Sequence, residues 1–79
     1  MNEDFLERLY QEGLEERIIS YLSESKNLSL EQAMEIYYNS RLANRIYTGE
    51  YGVQYLDYKV LVQILCETEP ELFSKTFQQ

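Results

Sequence analysis

The side chains that ordinarily do chemistry are nearly missing from this sequence. No histidine occurs among its 79 residues, which removes the commonest general base and the commonest transition-metal ligand near neutral pH. Zinc sites and Ser-His or Cys-His nucleophile pairs are excluded with it. No glycine-rich loop suited to phosphate is present, and the acids are not spaced as a calcium loop requires. Carboxylate-only catalysis would need two acids converging in a pocket, for which so short a chain has little room. Cys66 is the one thiol; it ends an apolar helical run with no cation near it in sequence to lower its pKa, which reads as a packed structural side chain. The expectation is a non-enzyme with no metal and no cofactor.

What remains is contact chemistry. Of eight tyrosines, Tyr37, Tyr38, Tyr47, Tyr51, Tyr55 and Tyr58 fall between residues 37 and 58, the least acidic part of the chain, together with Arg41 and Arg45. Tyrosine offers a large stiff surface with a polar tip, as binding faces use and as the wet rim of a small core also uses. Tyr37 and Tyr38 are adjacent, so on a helix they diverge by about 100° and only one of them can enter a core. Those tyrosines and the two arginines are the candidate partner-binding set. The acids form a second candidate surface. Residues 1–35 carry nine acids against three basic residues within a net charge of −7, and Glu3, Glu7, Glu12, Glu15 and Glu16 read as an acidic helical face. Such a face opposes direct nucleic-acid binding and suits a basic protein, mimicry of nucleic acid, or simple solubility.

These residues must be positioned by helices. Phe5, Leu6, Leu9, Tyr10, Leu14, Ile18, Tyr21 and Leu22 recur at three- and four-residue steps, predicting an amphipathic helix from Glu3 to about Ser25. Gly13 lies within it and marks either a break, slightly the favoured reading, or a close approach of another backbone. Lys26-Asn27 is a helix exit. Ser29 with Gln32 makes a capping box, and Leu28 against Ala33 a hydrophobic staple, so a helix begins at Leu30 with Leu30, Ala33, Met34, Ile36 and Tyr37 inward. Ser40 caps a short helix, Arg41 to Tyr47. Thr48 to Gly52 is a glycine turn, and Val53-Gln54-Tyr55 is expected to be extended. Asp57 caps a last main helix, Tyr58 to about Thr68, with Val60, Leu61, Ile64 and Leu65 as its core face, and Pro70 opens a short terminal helix through Phe77.

The fold expected is therefore all-α, one domain over residues 1–79, a bundle of three to five helices with one glycine-containing turn and at most a very short extended segment. A hydrophobic content of 44% supports one core, although a chain of this length buries only about 60% of its unfolded surface. A lone cysteine, an N-terminus without a secretion signal and no long apolar run point to a cytoplasmic protein that does not enter membranes.

Between Leu28 and Leu65, the elements Ser29, Ala33, Tyr38-Asn39-Ser40, Gly49 or Gly52 with Tyr51, and Tyr55 with Leu61 resemble a group of short uncharacterised bacterial proteins encoded beside toxin-type genes. The resemblance implies an accessory or antitoxin-like role; the tail after Thr68 lies outside it. The function expected is a non-catalytic protein–protein interaction module that binds and modulates a partner protein. The alternatives are an acidic mimic of nucleic acid that inhibits a DNA-binding protein, of the phage anti-defence type, and a structural homodimer that completes a small core.

Overall fold

A computed structural model describes the backbone of residues 3–77 and the side chains of residues 5–49 and 52–74. Five α-helices fill the described residues: α1 Glu3–Lys26, α2 Leu30–Tyr38, α3 Arg41–Thr48, α4 Tyr58–Thr68 and α5 Glu71–Phe77, with a 3₁₀ segment Glu50–Tyr55 between α3 and α4. The all-α expectation is correct, and the described residues contain no strand.

Local chemistry sets most of these boundaries. Asn27 takes the left-handed conformation at φ 56°, and the Leu28 N–H then donates to the Ser23 carbonyl at 2.9 Å, the bond that closes a Schellman turn after α1. Ser29 accepts from the Gln32 N–H and Gln32 accepts from the Ser29 N–H, both at 3.0 Å, completing the capping box. Leu28 and Ala33 are both buried in the core, as the staple requires. Ser40 accepts from the Ala43 N–H at 3.1 Å, and Asp57 from the Lys59 N–H at 3.0 Å. Gly49 ends α3 at φ 74°, a backbone that glycine adopts without strain.

Three local expectations need correction. Gly13 does not break α1, which runs unbroken for 24 residues; a single glycine lowers helix stability by about 1 kcal/mol, less than long-range packing and neighbouring turns supply. Val53-Gln54-Tyr55 is not extended but belongs to the 3₁₀ segment, because no strand lies beside it to take its backbone hydrogen bonds. The inward faces of α2 and α4 are also narrower than expected. Leu30, Met34 and Val60 are exposed and Ile64 is half-buried, while Val62 is buried.

The core joins Leu14, Ile18, Ile19 and Leu22 of α1 to Leu28, Ala33, Ile36 and Tyr37, Leu42 and Ile46 of α3, and Leu61, Val62 and Leu65 of α4. Helix α1 packs on both α2 and α4, and α3 packs on the 3₁₀ segment. The molecule measures 44 × 21 × 19 Å. At 1.5 Å per residue α1 alone spans about 36 Å, so it sets the long axis and its N-terminal half extends past the aliphatic core.

A tertiary contact caps α3. The carboxylate of Glu69, a residue only 3% exposed, accepts from the Arg41 N–H at 2.9 and 3.1 Å and from the Leu42 N–H at 3.3 Å. These are two of the N–H groups that a helix start leaves without intrahelical partners, and the positive end of the helix favours the anion. The Arg41 guanidinium donates to the Thr68 carbonyl at 3.2 Å, fastening the α4–α5 junction to the same point.

Candidate interaction surface

Leu14 and Ile18 precede Leu22 on the buried stripe of α1 at four-residue steps. Three or four residues further back, the stripe reaches Gln11 and Glu7, not Phe5 or Leu9. Polar side chains therefore face the rest of the molecule there. Gln11 Nε2 donates to the Ile46 carbonyl at 2.8 Å, near the C-terminus of α3. The Tyr10 hydroxyl donates to the Gln54 carbonyl at 2.9 Å. Glu7 accepts from Gln54 Nε2 at 3.5 Å and from the Tyr55 hydroxyl at 3.4 Å.

This polar latch turns apolar side chains outward, so Phe5, Leu6, Leu9 and Tyr10 of the predicted amphipathic helix do not join the aliphatic core. Phe5, Leu6 and Leu9 are 49%, 60% and 50% exposed, and Tyr47 and Tyr55 are 77% and 65% exposed. The Tyr10 and Tyr55 rings sit 5.7 Å apart at 36°, so Tyr10, Tyr55 and the side of α3 bearing Tyr47 form an aromatic end to the molecule, with Leu56 exposed next in the chain.

The candidate tyrosines do not share one surface. Tyr37 is fully buried and leaves the expected partner-binding set; its hydroxyl donates to Glu15 Oε2 at 3.1 Å. Burial, and then the negative charge of Glu15 that accepts its proton, push its pKa well above the usual tyrosine value. Tyr38 faces outward, edge-on to Tyr37 with ring centroids 5.1 Å apart; burial and the nearby Glu15 and Glu12 raise its pKa as well. Tyr58 packs edge-to-face on Tyr21 at 5.7 Å, and the Lys59 ammonium lies 6.0 and 5.9 Å from the Tyr21 and Tyr58 rings. Arg45 is exposed, while Arg41 is tied to the α4–α5 junction. The side chain of Tyr51 lies outside the described residues.

The acidic residues divide similarly. Glu7 and Glu15 turn toward tyrosine hydroxyls, and Glu12 and Glu16 are exposed one turn apart. The side chain of Glu3 lies outside the described residues. Among the described residues the acids of this set thus divide between Glu7 and Glu15, which accept hydrogen bonds within the fold, and Glu12 and Glu16, which are exposed. Cys66 is half-buried beside a concavity of about 440 Å³ that Tyr21, Lys26, Lys59 and Gln63 also line. Burial raises its thiol pKa, against a weaker opposing pull from Lys26. No group of three or more His, Cys, Asp or Glu side chains among the described residues could hold a metal ion, and none of their helices is long and apolar enough to cross a membrane.

Comparison with known proteins found no match to the chain among protein families, curated proteins or solved structures.

Proposed function

We propose that this chain is a non-catalytic protein–protein interaction module that docks a partner protein through its aromatic end, with Tyr47 and Tyr55 as the anchoring side chains. The observation that carries this reading is the exposure of Tyr55, whose ring packs on Tyr10, and of Tyr47, whose carbonyl lies 3.5 Å from the Gln11 side-chain nitrogen next to Tyr10 in α1. Exposed tyrosines bury a large area on docking while immobilising few rotatable bonds, which suits an anchor. Arg45, two residues before Tyr47 and exposed, adds a cation to this end of the molecule. In its sharpest form the reading is an accessory or antitoxin-like protein that binds and modulates one protein partner.

Affinity capture with the wild-type chain and with a Tyr47→Ser, Tyr55→Ser variant tests it. The wild type should recover one protein in stoichiometric amount and the variant should lose it, a loss of more than about tenfold in affinity for two anchors. Equal recovery by both chains, or no stoichiometric protein with either, would overturn it. The nucleic-acid-mimic reading has less support, because Glu7 and Glu15 accept hydrogen bonds from within the fold and, of that set, leave Glu12 and Glu16 as the exposed acids among the described side chains.

A further inference from the structure

Phe5, Leu9 and Gly13 follow one another at four-residue steps and lie on one ridge of α1, with Leu6 beside it. This ridge faces away from the Leu14–Ile18–Leu22 stripe and is distinct from the aromatic end. Phe5, Leu6 and Leu9 are each about half exposed or more, and a Cβ placed on Gly13 would meet no atom within 4 Å. Nothing in the chain's own packing requires the small residue, although glycine disfavours a helix interior. A gap that the fold does not use, at the end of an apolar ridge, fits a knob supplied from outside.

The geometry points to a second copy of this chain as the occupant, with two α1 helices crossing antiparallel about Leu9 in a two-fold dimer. Antiparallel pairing centred on residue 9 brings Phe5 of each copy level with Gly13 of the other, so each ring enters the open space twice over by symmetry. The charges beside the ridge are self-complementary in the same register. Arg8 and Glu12 are exposed on one side of it, and a two-fold axis sets that side against itself with its direction reversed. Arg8 of each copy then lies opposite Glu12 of the other, offset by about 3 Å along the axis at a rise of 1.5 Å per residue, within side-chain reach. The two Arg8 residues are offset by the same distance of about 3 Å, so the register sets two Arg8–Glu12 pairs against one approach of like charge, a net attraction, whereas a uniformly basic partner would leave every Arg8 opposed by like charge.

Sedimentation velocity across the micromolar range is the test. The wild type should pass from monomer to dimer. Leu9→Glu and Gly13→Leu should each weaken association about a hundredfold, the first by burying a charge at the crossing point and the second by filling the gap. Arg8→Glu and Glu12→Arg should each weaken it about tenfold, and an equimolar mixture of those two variants should recover a 1:1 heterodimer, because both pairs across the interface are again opposite in sign. An ion pair within one chain cannot produce that recovery. All four positions are exposed or open, so thermal melts of dilute samples should show every variant folded. A wild type that stays monomeric throughout the range, a dimer indifferent to Leu9→Glu, or a mixture no tighter than its components would overturn the proposal.

Discussion

From Leu14 to Lys26, α1 turns Leu14, Ile18 and Leu22 into the aliphatic core and keeps its acids largely outside; from Glu3 to Gly13 the same helix turns Glu7 and Gln11 toward its neighbours and leaves Phe5, Leu6 and Leu9 largely exposed. The first region is held by area removed from water, which is non-directional and accumulates with every methylene. The second is held by side-chain hydrogen bonds to the end of α3 and to the 3₁₀ segment. Each of these contributes only about 0.5–1.5 kcal/mol net, but each fixes a distance and a direction. One end of the molecule therefore supplies stability, and the other supplies position and exposed apolar surface.

The strongest test of that division is a pair of truncations read by urea denaturation at concentrations that keep the chain monomeric. Leu22→Ala should cost about 2–5 kcal/mol, as cavity formation in a core does, and Leu9→Ala less than about 0.5 kcal/mol. Similar costs at both positions would dissolve the distinction. A smaller effect should come from Glu69→Ala, which leaves the first N–H groups of α3 without their acceptor and should cost about 2 kcal/mol by the same measurement. It should also speed amide exchange in α3 more than in α2 or α4.

Tyr37→Phe should have a smaller effect than Glu69→Ala at neutral pH, about 1 kcal/mol for the bond to Glu15. Its larger signature is at alkaline pH. The folded chain holds the Tyr37 proton above the usual pKa of about 10, so the unfolded chain releases it first. The stabilisation is complete below a pH of about 10 and is lost as pH rises through and beyond it, by up to about 1.4 kcal/mol per pH unit. Denaturation profiles from about pH 9 to 11 should accordingly fall more steeply for the wild type than for Tyr37→Phe.

Much of the fold is legible in the residues because the devices that set it are local. Asn27, Ser29 with Gln32, Ser40 and Asp57 each act on backbone groups within a few positions of themselves, and each capping or turn role is present in the structure. The exposed apolar ridge of α1 is harder to read because it depends on phase. Spacings of three to five residues link Phe5 and Leu9 to Leu14 in a continuous series, yet Phe5 and Leu9 sit on a different arc from the core stripe, which runs back from Ile18 and Leu14 through Gln11 and Glu7. Following the angle as well as the interval separates the two stripes. Adjacency alone shows that Tyr37 and Tyr38 part company, but which one enters the core depends on where α1 lies. Glu69 carries no readable signal, since its partners are 28 and 27 residues away and a Glu set between Glu67 and Glu71 resembles any surface acid.

That separation has a consequence for synthesis. Arg41 and Leu42 emerge from the ribosome ahead of Glu69 by 28 and 27 residues, an interval on the order of 1–6 s at about 5–20 residues per second. Throughout it the first turn of α3 lacks its carboxylate, and the 3₁₀ segment that packs on α3 has only a partly anchored support. The aromatic end is thus completed after the helices that precede it, by a residue late in the described sequence, and the surface offered to a partner matures only when nearly all of that sequence has emerged.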